Sequence, residues 1–125
     1  ASLEIDKVDY INAHGTGTAA NDVTETKSIK LALGDDHARK VSVSASKSMF
    51  GHALGAAGAM ELAVTTLAIN NGVAPPTANY EEPDPDCDLD YIPNEARDME
   101  INAAISNSFA FGGLNAVLAI KKFNG

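Results

Sequence analysis

The spacing of apolar and polar residues changes character several times along this chain. Residues 8–13, VDYINA, form a short and mostly apolar run, which predicts a largely buried strand. Over 22–33 the pattern becomes helical. Asn21 or Asp22 can cap that helix, Glu25 stands three residues after Asp22 as in a capping box, and Gly34 follows its end. Ile29 and Leu33 follow Glu25 at i+4 and i+8, so Glu25 is expected to point at the core rather than at water. Residues 41–45 alternate apolar with polar and predict a strand. Residues 46–52, SKSMFGH, predict a polar loop that carries Lys47 and His52. A long helix rich in Ala and Gly is expected over 53–71, ended by Asn71-Gly72, and its small residues suit a closely packed central position. Pro75, Pro76, Pro83 and Pro85 mark an extended, loop-rich stretch. Short strands are expected at 89–92, 100–109 and 115–123, the last two joined at Gly112-Gly113 into a hairpin. The order β-α-β-α-β-β-β predicts an α/β fold with helices on a mixed sheet. Neither a repeat nor a flexible linker interrupts it, so residues 1–125 are read as one unit.

Composition narrows the picture. A chain of 125 residues buries roughly two-thirds of its unfolded surface. With 45% apolar and 21% charged residues it has the balance of a globular domain. A net charge of −8 repels phosphate backbones and argues against nucleic acid as a partner. The longest apolar run, 53–69, is broken by Glu61 and dominated by Gly and Ala, so it is a poor membrane span. The single cysteine, Cys87, excludes an internal disulfide and fits a reducing compartment. A cytoplasmic location is expected, a plastid or mitochondrion being compatible with it.

Several stretches could carry chemistry. NAHGTGT at 12–18 has two of the glycines of a dinucleotide loop but lacks the third, and it lacks the Gly-Lys-Ser/Thr end of a P-loop. A plain glycine turn would account for its glycines but not for a histidine at the strand end. Ser44-Ala-Ser-Lys47 matches the S-x-x-K nucleophile motif, without the companion elements that chemistry needs. Asp84, Asp86, Asp88 and Asp90 are spaced like calcium ligands, but Leu89 replaces the required glycine and Pro85 and Pro93 break the flanking helices. This segment is therefore read as a solvated acidic loop, and no metal is expected. Its carboxylates also make Cys87 a poor nucleophile.

What remains is His14, Lys47, His52 and the inward-facing Glu25. Each lies at or just after an element end, where parallel α/β sheets place their binding crevice. A buried carboxylate needs a cationic partner, and Lys47 is the expected partner of Glu25. Two imidazoles backed by such a pair would stabilise developing negative charge.

With these residues in view, the chain resembles the C-terminal part of the β-ketoacyl-acyl carrier protein synthases, and most closely their elongating, type II (KAS II-like) branch. The resemblance rests on NAHGTGT at 12–18, SKSMFGH at 46–52 with LGAAG at 54–58, PDPDCDLDY at 83–91, and NSFAFGG at 107–113, in the family's order and over essentially the whole chain. It implies a thiolase-type fold of two related halves, usually a homodimer. This chain would be most of the second half, without its first strand and helix and without the half that bears the cysteine nucleophile. The implied reaction is decarboxylative condensation of an acyl-enzyme with malonyl-acyl carrier protein in fatty acid elongation. His14 and His52 would donate hydrogen bonds to the malonyl thioester carbonyl, Lys47 would orient the centre and Glu25 would support it. Thr16 and Thr18 would bind the phosphopantetheine arm, and Phe111 would be the gate and help build the acyl oxyanion hole. The partners implied are acyl carrier protein and its malonyl and acyl thioesters. No cofactor is expected on the chain itself, since the substrates ride on phosphopantetheine.

Ala110, Leu114 and Phe50 depart from the residues common in the family at these places, and they bear on gate motion and chain-length preference rather than on the catalytic groups. A polyketide ketosynthase shares the same motifs. A non-catalytic fragment or partner subunit is the reading from another class. Either way, the 125 residues alone are expected to lack condensing activity and to self-associate through apolar surface.

Overall fold

A computed structural model describes residues 3–123. A four-stranded sheet holds the molecule together, with strand order β2-β1-β5-β6. Strand β1 (Tyr10–Asn12) lies at its centre. It pairs in parallel with β2 (Ser42–Ser44), Tyr10 opposite Ser42, and with β5 (Ala103–Ala110), Tyr10 opposite Ala104. Strand β6 (Leu114–Lys121) closes the edge as the antiparallel partner of β5, so the expected hairpin is present. The mixed, mainly parallel sheet of the α/β expectation is what forms.

Alternation along β1 decides where the helices sit, because successive side chains of a strand point to opposite faces. Ile11 and Ala13 pack with Val41, Val43 and Ile29, which belongs to helix α1 (Ala19–Leu33). Tyr10 packs with Ala104 and with Ala68 and Ile69 of helix α4 (Ala57–Asn71). The two long helices therefore cover opposite faces. Ile11 and Val43 are fully buried, each stabilising the fold by about 1.5–3 kcal/mol.

Local departures from the expected pattern have identifiable causes. Helix α1 begins at Ala19, not Asp22, and Thr18 at its N-cap makes no side-chain capping bond. A four-residue helix, α2 (Asp35–Ala38), follows it. The polar loop at 46–52 winds its first part into a helical turn, α3 (Lys47–Phe50). The long helix expected over 53–71 is divided. Leu54 takes a positive φ of 50° and opens a 3-10 turn, Leu54–Ala56, before α4 begins. The expected strand at 89–92 reduces to one bridge, Asp90 to Ser42, because Ile92 and Asn94 both adopt positive φ and turn the chain away. Strands β3 (Val73–Ala74) and β4 (Arg97–Asp98) form a small second sheet, each strand too short to leave a period in the sequence.

Strand β6 is exposed on both faces: Leu114 at 73%, Val117 at 54% and Leu118 at 46%. Met60, Leu62 and Leu67 on the outer side of α4 are exposed too. Soluble monomers rarely leave so much apolar surface open beside an unpaired sheet edge. The 125 residues produced alone should therefore sediment as oligomers or larger aggregates and bind a dye specific for apolar surface. A monomeric mass without dye binding would contradict this.

Candidate active site

The parallel strands β1 and β2 both end on the same side of the sheet, and the chain leaving them carries His14 and Lys47. The turn after His14 passes so close to β2 that a Cβ on Gly15 would lie 2.5 Å from that of Ala45. Gly15 also has a positive φ of 45°. Both facts demand glycine there, and they hold His14 beside the Lys47 segment.

Lys47 is 7% exposed and Glu61, on α4, is fully buried. The Lys47 ammonium donates to Glu61 Oε1 and to the His14 carbonyl oxygen at 2.6 Å, and it lies 3.3 Å from His14 Nδ1. An ammonium has three donors and no acceptor. All three are engaged, so His14 Nδ1 must accept and the His14 ring proton resides on Nε2. Burial pushes the Glu61 carboxyl up, with Lys47 opposing it, and its Oε2 has no partner among the described residues.

His52 reaches the same tautomer by another route. Its Nδ1 accepts the backbone N–H of Leu54 at 3.1 Å, the amide presented by that residue's left-handed backbone. The two rings stand edge to face, with centroids 5.7 Å apart. The ring of His14 also packs against Phe109 at 5.6 Å. Burial, and then the Lys47 charge, hold the pKa of His14 below its ordinary value. The result is a pair of imidazoles, each with Nδ1 occupied and Nε2–H left to donate.

Glu25 does point inward, as the helical spacing predicts, but its partner is not Lys47. Its carboxylate accepts the backbone N–H groups of His14 and Gly15, both at 2.9 Å, and the side-chain amides of Asn107 at 3.0 Å and Asn21 at 3.2 Å. Four N–H donors satisfy a buried carboxylate without a cation. Lys47 instead meets the carboxylate of Glu61, contributed by the helix on the opposite face of the sheet. In the sequence Glu61 shows only as a break in an apolar run. The signal that points to it is an acid inside an apolar helical run, which needs a cation when buried.

Thr16 and Thr18 share a hydrogen bond of 2.9 Å and line a cavity of about 690 Å³. Lys47, His52, Tyr80, Cys87 and Tyr91 line it as well. Phe111 lies in the hairpin turn with its ring fully exposed, and it is Phe109 that contacts His14. Cys87 lines the cavity, but burial and the carboxylate of Asp84 push its thiol pKa up.

The remaining motifs have structural occupations. Ser44 of the S-x-x-K sequence is buried and shares a 2.7 Å hydrogen bond with the Tyr10 hydroxyl. The acidic run is more tied down than a solvated loop would be. Asp88 is held by Lys30 and Arg39, which lower its pKa to about 2, and Asp90 is held by Arg97 and Ser42. Among the described residues no cluster of His, Cys, Asp and Glu is grouped to hold a metal ion.

Comparison with known proteins gives this arrangement a family. The family described as β-ketoacyl synthase, C-terminal domain, matches residues 1–81. Nodulation protein E of Rhizobium sp. (strain N33) is 57% identical over 122 residues, which are 98% of this chain and 30% of that protein. The 3-oxoacyl-[acyl-carrier-protein] synthase 2 of Synechocystis sp. is 54% identical over 123 residues, 98% of this chain and 29% of the relative. A solved type II polyketide acyl carrier protein in complex with its ketosynthase, bound to the hexaketide, matches with a TM-score of 0.94 and 41% identity over 98% of this chain and 30% of that one. A β-ketoacyl synthase from Burkholderia phymatum matches with a TM-score of 0.91 and 38% identity over 99% of this chain and 30% of its own. The chain thus spans about 30% of the length of these relatives. It belongs to the β-ketoacyl synthase family, as the C-terminal part of that family's thiolase-like fold.

Proposed function

We propose that this chain is the malonyl-decarboxylating part of a 3-oxoacyl-[acyl-carrier-protein] synthase of fatty acid elongation. The observation that carries the reading is the fixed tautomer of both histidines. With each Nδ1 occupied, His14 and His52 keep their Nε2–H groups as donors, on rings 5.7 Å apart just beyond the strand ends.

Such donors suit one step in particular. When a malonyl thioester loses carbon dioxide, the bond between its Cα and the carboxyl carbon breaks. The electron pair stays behind as an enolate with negative charge on the thioester oxygen. Two neutral N–H donors aimed at that oxygen lower the barrier, and removing one such donor costs about 3 kcal/mol in enzymes where it has been measured. The enolate carbon then attacks an acyl thioester held on a cysteine of the other half, expelling the thiolate. Holding the pKa of His14 low serves this, because a neutral ring keeps Nδ1 free for Lys47. Lys47 spends its donors on His14 and Glu61 and acts through His14. Glu25 supports the turn. The cavity beside Thr16 and Thr18 is where a phosphopantetheine arm would lie, and Phe111 would gate the acyl side once the hairpin turn is covered.

Acyl carrier protein is the proposed partner. A solved relative is a ketosynthase in complex with its own carrier, which supports this choice. The complete enzyme is proposed to be a homodimer. A polyketide ketosynthase is the second reading, favoured by the likeness to that same complex and by a 56% identical ketoacyl synthase alpha subunit from Streptomyces glaucescens. Whether the complete enzyme extends a 3-oxoacyl thioester again before any reduction separates the two.

In a complete condensing enzyme carrying these residues, His14→Ala should slow malonyl decarboxylation roughly 10²- to 10³-fold. Decarboxylation at the wild-type rate would refute the assignment. The isolated chain should take up no acyl group from acyl carrier protein, because the only thiol, Cys87, is held protonated. Acylation mapped to Cys87 by mass spectrometry would overturn that expectation.

A further inference from the structure

Beneath the histidines lies a buried polar cluster to which the chemistry above gives no task. Tyr10, Asn12, Ser44, Ser46, Glu61 and Thr65 are each at 0% exposure. Asn12 is where three chain segments converge. Its Oδ1 accepts the Ser46 hydroxyl at 2.9 Å. Its Nδ2 donates to the Glu61 carbonyl at 3.2 Å and to Thr65 Oγ1 at 3.1 Å.

The orientation of this carboxamide is dictated by its neighbours. Thr65 gives its own hydroxyl proton to the Glu61 carbonyl at 2.7 Å, so both groups on that side can only accept from Asn12. The amide nitrogen must face α4, and the oxygen must face Ser46. Each partner adjoins the ion pair. Ser46 immediately precedes Lys47, Glu61 is the residue that neutralises Lys47, and Asn12 itself stands two residues before His14.

We propose that Asn12 is a positioning residue for the decarboxylating centre. One carboxamide sets the distance between the segment carrying Lys47 and the helical turn carrying Glu61, and thereby where the ammonium meets His14. Asn12 touches no substrate and none of the reacting atoms. Its influence passes through Lys47, whose long side chain would otherwise have several ways to reach Glu61. The inference rests on the decarboxylation chemistry proposed above.

The test uses a complete condensing enzyme that carries these residues, with malonyl-acyl carrier protein as substrate. Asn12→Asp keeps the size and the acceptor facing Ser46, but offers α4 no donor when ionised and a single O–H when protonated, in place of two N–H groups. It should lower kcat for decarboxylation roughly a hundredfold, the scale of an ångström-sized misplacement. KM for the malonyl thioester and the rate of acyl loading onto the nucleophile should stay within about twofold, since ground-state binding is untouched. Ser46→Ala deletes one hydroxyl and puts folding least at risk. It should lower kcat roughly five- to tenfold, with acyl loading unchanged and the thermal midpoint of unfolding lowered only by the few degrees that one lost buried hydrogen bond accounts for. A wild-type kcat in Ser46→Ala would overturn the proposal. So would a parallel fall of kcat, acyl loading and thermal midpoint, which would mean structural support alone. If His14→Ala still decarboxylates normally, the chemistry itself is wrong. If His14→Ala is inactive and Ser46→Ala is normal, only the role of Asn12 fails.

Discussion

One buried ammonium organises this molecule. Lys47 is nearly inaccessible to water, and a charge so placed persists only if its donors are all taken. Its acceptors come from separate parts of the chain: the carboxylate of Glu61, the carbonyl of His14 and the ring nitrogen of His14. Helix α4 must therefore lie against the sheet with Glu61 inward, and β1 must end where His14 can meet the lysine. The geometry of the candidate site follows from solving that burial problem, because the lysine that needs acceptors also fixes the tautomer of the histidine that supplies them.

A second carboxylate is buried on the other side of the same turn, and it is satisfied differently. Glu25, on α1, takes the backbone N–H groups of His14 and Gly15 together with Asn21 and Asn107. Glu61 is matched by a cation and Glu25 by hydrogen-bond donors. The turn after β1 is thus gripped from both faces of the sheet, by one helix through its backbone and by the other through Lys47. Asn107 extends the grip to β5, whose neighbouring Phe109 packs on the His14 ring.

Much of this was legible in the sequence, for reasons that can be named. The apolar run before NAHGTGT, the helical spacing of Glu25, Ile29 and Leu33, and the double glycine between two apolar runs each state a local preference that the fold keeps. Local pattern also placed His14, Lys47 and His52 at element ends. It did not say which acid faces which base. Glu25 and Glu61 are both inward-facing acids on helices, and only the packing of α1 and α4 on opposite faces allots Lys47 to Glu61. The division of the helix over 53–71 was hidden because Leu54 has no intrinsic preference for a left-handed backbone. Its conformation is held by the bond to His52. Strands β3 and β4 have two residues each, too few to show a period. Asn12 looked like any polar residue in a strand, because its partners lie 34 to 53 positions away.

The central claim is that burial and the Lys47 ammonium together keep His14 neutral, and that Lys47 fixes its proton on Nε2. Side-chain nitrogen NMR of a complete enzyme labelled at histidine, with His14 identified by its loss in His14→Gln, reads that state directly. The structure predicts a neutral ring at pH 7, unprotonated at Nδ1, that titrates below the ordinary histidine value of 6.5. Lys47→Met should move that titration upward. A proton found on Nδ1, an imidazolium at pH 7, or a titration unmoved by Lys47→Met would contradict the account.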